Sequence, residues 1–179
     1  MFVERELFGG AITARTAPDL IDASDVRQVP DTQEVFMYPN SSVSIILEIL
    51  QKVEPSQLDE AIRFHFDSLA HDNSAVSSSV ESVNVSAIPN TAAETTPPAT
   101  VLKGVQMVPK FNRPTADKVI VYMALFRVLS KGIDLVLTFN VPVEATDGGV
   151  VDSQGVERAE ADFNAFVQSL RIVDFGLFA

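Results

Sequence analysis

Four carboxylates, Asp22, Asp25, Asp31 and Glu34, fall within the stretch Asp22–Phe36 (DASDVRQVPDTQEVF), together with Arg27, Gln28 and Gln33. Carboxylates at this density can do three kinds of work. Two that converge can share acid–base chemistry, several oxygens can hold a hard cation, and a set left unpaired can meet a basic surface on another protein. The EF-hand spacing that would favour the cation is absent. His65 and His71 are the only imidazoles, and their separation does not place them on one helix face as an i, i+4 metal pair requires. There is no Gly-x-Ser-x-Gly elbow for a serine nucleophile. Gly9-Gly10 lacks the later Gly-Lys-Ser/Thr of a phosphate loop, so the pair reads as a bulge or a close backbone approach. With no cysteine in the chain, disulfide and thiolate chemistry are excluded. No catalytic, cofactor-binding or metal residue is assigned. A charged stretch with little to bury is where proteins tend to place recognition residues, which makes Asp22, Asp25, Arg27, Gln28, Asp31, Gln33 and Glu34 candidates for partner binding.

The elements that must position this stretch follow from the residues around it. Pro30 lacks a backbone N–H and disfavours helix at the residue before it, so any turn begun near Ser24 ends by Val29. The second half is then a turn feeding a strand over Glu34–Tyr38. Upstream, Leu7–Ala14 (LFGGAITA) reads as a first strand entered through the two glycines. Downstream, Ser42–Val53 reads as a longer buried strand, with Asn40 and Ser41 in the turn before it. Ser56 is expected to cap a helix with Asp59 and Glu60 in its first turn. Leu58, Ile62, Phe66 and Leu69 or Ala70 form its buried stripe, and Phe64 falls off that stripe. His65, beside the stripe, reads as a packed helix residue.

Val80–Ile88 alternates as a strand does, whereas Pro89–Thr100 (PNTAAETTPPAT) has no periodicity and reads as a mobile loop over 89–100. Val101–Val108, Val119–Leu129 and Ile133–Val141 are strand-like, the last two joined by a hairpin at Ser130-Lys131-Gly132. Gly148 to Gly155 reads as a loop. Glu157–Leu170 places Phe163, Phe166, Val167 and Leu170 on one helix face. The expected fold class is α+β, one domain over 1–179 with an antiparallel sheet of about six strands flanked by helices.

Charge narrows the choice among partners. The chain of 179 residues carries a net −11, distributed as −10 over residues 1–100, +5 over 101–131 and −6 over 132–179. A chain this acidic is poorly suited to nucleic acid, because each neutralised phosphate needs a cation. A basic protein surface is its natural partner. No apolar run approaches the roughly 20 residues that span a bilayer, so no membrane insertion is expected. Met1–Ala11 lacks the apolar segment of a secretory signal, and a monomer is expected.

Two segments carry a family resemblance. LFGGAI (Leu7–Ile12), followed by DASDVRQVPDTQEVF, resembles the signature of the Mog-type Ran guanine-nucleotide release factors, whose usual run is close to Asp-Val-Ser-Asp-Ile-Arg-Gln-Val-Pro-Asp-Asn-Gln-Glu-Val-Phe. LTFNVP (Leu137–Pro142) and the amphipathic terminal helix fit the same family. Ala23 and Thr32 depart from it, standing where Val and Asn are usual. The resemblance implies a nuclear-transport protein, of nucleus and cytoplasm, that binds the GTPase Ran and promotes nucleotide release from its GTP-bound form without cofactor. It also implies a sheet flanked by helices in an α/β/α sandwich, similar to the extrinsic oxygen-evolving subunit of photosystem II.

The residues themselves leave alternatives open: a non-catalytic adaptor of Ran or another basic partner, or a small-ligand enzyme using the 22–34 carboxylates. Within the signature, Asp22 can instead cap the turn near Ser24, Arg27 can bridge to Asp31 or Glu34, and Val35 and Phe36 can serve as core.

Overall fold

The structure, a computed structural model, describes residues 1–85, 94–110 and 114–179. Its regular elements run β1 (Val3–Leu7), β2 (Ile12–Thr16), β3 (Ile21–Asp22), β4 (Gln33–Met37), β5 (Ser44–Gln51), α1 (Leu58–Asp72), β6 (Ser77–Asn84), β7 (Thr100–Val108), β8 (Asp117–Val128), β9 (Ile133–Glu144), α2 (Ser153–Ser169) and β10 (Arg171–Ile172). A seven-stranded sheet has the order β3-β4-β5-β9-β8-β7-β6, and a three-stranded sheet the order β1-β2-β10. All the pairings are antiparallel. The α+β class is as expected, with one strand more in the main sheet than the sequence suggests and a second, smaller sheet beside it.

The central strands show why the sheet needs cover on both sides. Successive side chains of a strand point to opposite faces. In β8, Tyr122, Ala124, Phe126 and Val128 enter one core, and Val121, Met123 and Leu125 enter another. The first core is closed by Phe163, Phe166 and Leu170 at α2 and by Leu7, Ile12 and Ala14 of the small sheet. The second is closed by Ala61, Ile62 and Phe66 of α1. Edge contacts of Phe163 and Phe166 with Phe139, at ring separations of 5.4 and 6.3 Å, fix α2 on its side. No helix among the described residues is long and apolar enough to cross a membrane.

Several boundaries differ from the sequence reading, each for a physical reason. Leu7–Ala14 is a hairpin rather than a strand, because Phe8, Gly9 and Gly10 have φ of 50°, 67° and 94°, values an extended strand does not contain and that glycine adopts at least cost. The residue before α1 is Gln57, and its side chain caps nothing, so Ser56 is not the cap. Helix α2 starts at Ser153, four residues before the expected Glu157, because Asp152 caps it by accepting from Gly155 N at 2.9 Å. The strand expected over Val80–Ile88 is β6, and residues 86–88 lie outside the described residues. So does 89–93 of the expected loop. Of the remainder, 94–99 has no regular structure, although Pro97 is buried and Thr96 Oγ1 accepts from Ile172 N at 2.9 Å.

Helix α1 approaches β7 so closely that one position admits no side chain. A Cβ added at Gly104 would lie 2.6 Å from the Phe66 ring and 2.7 Å from the Ser79 carbonyl oxygen. Phe66 is fully buried and cannot swing away. Gly104→Ala is therefore expected to destabilise by about 1–3 kcal/mol, read as a lower urea midpoint with an unchanged slope. A midpoint equal to that of the wild type would contradict this packing.

Candidate partner-binding face

The polar stretch is built as two turns hung between strands. Asp22, at the end of β3, accepts from Ser24 N at 2.9 Å and from Ser24 Oγ at 2.7 Å. It thereby caps a 3₁₀ turn over Ala23–Asp25. Val26 N and Arg27 N both donate to the Ala23 carbonyl, at 3.1 and 2.9 Å, and fully buried Ala23 pins the turn from below. Pro30 starts the second turn, closed by Gln33 N donating to its carbonyl at 3.0 Å. Ile49 N then donates to Thr32 O at 2.9 Å, fastening the stretch to β5 through the backbone. At Thr32, in place of the usual Asn, the tie is thus one that any side chain permits. Val35 and Phe36 are buried in β4.

Asp25, Arg27, Gln28 and Asp31 are exposed, and Val26 among them is 67% exposed. The bridge from Arg27 to Asp31 or Glu34 is not formed; its Nη1 donates to the carbonyl of Gln28 at 3.4 Å. An exposed carboxylate held on a short, doubly closed turn has little conformational entropy left for a partner to remove. Asp25 and Asp31 fit that description.

Period-two geometry divides the remaining residues between the two faces of the sheet. Gln33 stands opposite Glu48, and Glu34 opposite Leu47. Leu47 belongs to the core beneath α2, so Glu34 and Phe36 point to that side and Gln33 to the other. Asp22 is opposite Phe36 and shares Glu34's side. The seven residues therefore do not form one patch: Asp22 and Glu34 lie on one face, Gln33 on the other, and Asp25, Arg27, Gln28 and Asp31 on the turns between.

Glu34 also has internal work. Its Oε1 accepts from Phe8 N at 2.7 Å, tying the β1–β2 hairpin to the signature and satisfying a donor at a turn of unusual backbone. Burial pushes the Glu34 carboxyl up; the Phe8 hydrogen bond draws it back, nearby Asp22 adds to the rise, and Arg5 opposes it, leaving it above the ordinary range. Arg5 is a neighbour of the candidate face that local pattern does not reveal, because it arrives from β1. Its guanidinium lies 4.9 Å from the Phe36 ring centroid and its Nε donates to Thr16 Oγ1 at 3.0 Å.

An enzymatic use of these carboxylates would draw two of them into a common cavity. Five cavities of the described surface are lined by other residues, none of them by Asp22, Asp25, Asp31 or Glu34. No group of three or more His, Asp or Glu placed to hold a metal occurs among the described residues. His65 packs into the protein: its Nε2 lies 2.8 Å from Asp134 Oδ2.

Comparison with known proteins places this geometry in context. A family model described as the Ran-interacting Mog1 protein matches residues 5–142. The Ran guanine nucleotide release factor of Danio rerio is 34% identical over 182 residues, covering 98% of this chain and 100% of the fish protein. The human Ran guanine nucleotide release factor is 35% identical, with 96% and 94% covered. The nuclear import protein Mog1 of Saccharomyces cerevisiae is 30% identical, with 98% and 84% covered. The crystal structure of the Saccharomyces cerevisiae Ran-binding protein Mog1p superposes with a TM-score of 0.72 at 27% identity, over 100% of this chain and 99% of that one.

Proposed function

This chain belongs to the Ran-interacting Mog1 protein family, and we propose that it binds the GTPase Ran and promotes guanine-nucleotide release from Ran's GTP-bound form, in support of nuclear import. The observation that carries the reading to particular residues is the pair of closed turns that display Asp25 and Asp31 with no cation partner among the described residues. A release factor works by binding the nucleotide-free GTPase more tightly than the loaded one. Carboxylates serve that end by engaging the cationic groups that otherwise hold phosphate. Asp25 and Asp31 are the primary contacts, Gln28 and Gln33 add hydrogen bonds, and Arg27 orients the turn. Asp22 and Glu34 stiffen the surface from its inner side and present their remaining carboxylate oxygens at its margin. The protein performs no chemistry of its own, and it acts in the nucleus and cytoplasm.

A titration of Ran against the protein at low and moderate salt tests the electrostatic part. Affinity is expected to fall steeply with salt for the wild type and less steeply for Asp25→Ala and Asp31→Ala, each checked for its fold by circular dichroism. Salt dependences that are the same in all three proteins would contradict the assignment.

A further inference from the structure

Helix α1 covers only part of the sheet face on which Gln33 lies, packing over β6, β7 and β8. Among the described residues it only flanks the β4–β5 half of that face, where Gln33, Met37, Ile46, Glu48 and Leu50 are half-buried. Directly opposed residues of antiparallel strands share a face, so Gln33, Glu48 and Val136 form one row across β4, β5 and β9. The row leads from the signature into a groove of about 310 Å³ between α1 and the sheet. One wall of the groove is Phe64, the aromatic residue that falls off the buried stripe of α1 and is 46% exposed. Leu50, Val53 and Leu69 line it as apolar surface, and Glu48 and Asp72 are its carboxylates. No lysine or arginine is among the described residues that line it, and its one imidazole, His65, has its Nε2 2.8 Å from Asp134 Oδ2.

A groove with an aromatic wall, an apolar side and two carboxylates matches a long aliphatic stem ending in a cation. Continuity with Gln33 says where that side chain comes from. We propose that the groove is a second contact site for Ran and takes a lysine or arginine side chain of the GTPase, its stem against Phe64, Leu50 and Leu69 and its charge toward Glu48 and Asp72. The proposal rests on the reading that this protein binds Ran. It makes the interface two-part, with Asp25 and Asp31 on the turns and an apolar, acid-lined socket beside α1. Phe64 then has a use that core packing does not supply.

The test is a titration of Ran against the full chain and three variants, Phe64→Ala, Glu48→Lys and Asp31→Ala, each checked by circular dichroism. Phe64 is exposed enough that its truncation leaves the core intact, and Glu48→Lys probes the same groove by charge, should either variant fold poorly. Phe64→Ala and Glu48→Lys are each expected to weaken binding by about tenfold or more, as truncation of an interface anchor does. Binding by both within twofold of the wild type, while Asp31→Ala is weakened, would overturn the groove and leave the family reading standing. Weakening by Phe64→Ala with no effect of Glu48→Lys would overturn the basic occupant. A wild-type chain that does not bind Ran at all would defeat the family reading itself, and the occupant with it.

Discussion

Replacing Asp134 with alanine is expected to destabilise the protein by about 3–5 kcal/mol, the cost of leaving a buried cation without its partner. Asp134 is fully buried. Its Oδ1 accepts from Arg127 Nε at 2.8 Å, and its Oδ2 from Arg127 Nη2 at 2.9 Å and Val53 N at 3.1 Å. His65 Nε2 lies 2.8 Å from the same oxygen. Arg127 also donates to the carbonyl of Pro55 at 2.6 Å. The network thus joins the β8–β9 hairpin, the connection from β5 to α1, and α1 itself.

Burial alone would push the Asp134 carboxyl up, but hydrogen bonds from His65, Arg127 and Val53 and the Arg127 charge hold it down at about 2. A carboxyl depressed in the folded state contributes stability that is present above the ordinary carboxylate value near 3.8 and is lost as pH falls toward 2. That difference amounts to roughly 2 kcal/mol. The substitution costs more than protonation because it also leaves Arg127 unpaired. In urea titrations the wild type should lose stability between pH 4 and 2, and Asp134→Ala should show a flatter acid limb from a lower plateau. An equal loss in both proteins would contradict the network's role.

The second large effect is expected in binding. If Asp25 and Asp31 meet desolvated cations on Ran, each truncation to alanine should cost about 2–5 kcal/mol of affinity, against about 0.2–1 kcal/mol for a rim pair in water. Asp25 and Asp31 are exposed and carry no fold contact comparable with the Glu34–Phe8 bond, so thermal midpoints should not move. Glu34→Ala should behave differently, lowering stability by about 1–3 kcal/mol because Phe8 N loses its acceptor. Measuring stability and affinity on the same three variants separates residues proposed to touch Ran from the one that also braces the surface. A stable Glu34→Ala protein, or Asp25→Ala and Asp31→Ala proteins that bind with wild-type affinity, would show that these roles are misassigned.

Some parts of the molecule can be read directly from the chain and others cannot. Strands β5, β7, β8 and β9 were legible because their apolar residues run in blocks or alternate, and the β8–β9 turn because Gly132 takes φ of 64°. The signature's two turns were legible because Pro30 stops the first, and a short side chain such as Asp22 caps it. The three-stranded sheet was not. It joins β2 to β10 near the far end of the chain, and a two-residue strand such as β10 leaves no periodic trace. The beginning of α2 was hidden because Gly155 and a polar first turn look like loop. Arg5 was hidden for the same reason as the small sheet: its partners Thr16 and Phe36 are distant in sequence and are brought to it by pairing. The separation of Gln33 from Glu34 was legible in principle, since neighbours on a strand face opposite ways, but it required knowing that β4 begins at Gln33.

A release factor for Ran is distinguished from an adaptor by release of nucleotide, not by holding the GTPase. Ran loaded with labelled GTP, followed with and without the protein, tests the distinction most directly. The wild type is expected to accelerate release, and the Asp25→Ala, Asp31→Ala double variant, folded and stable, to do so far less at the same concentration. Release at the intrinsic rate in the presence of saturating wild-type protein would contradict the release-factor reading and leave an adaptor in its place.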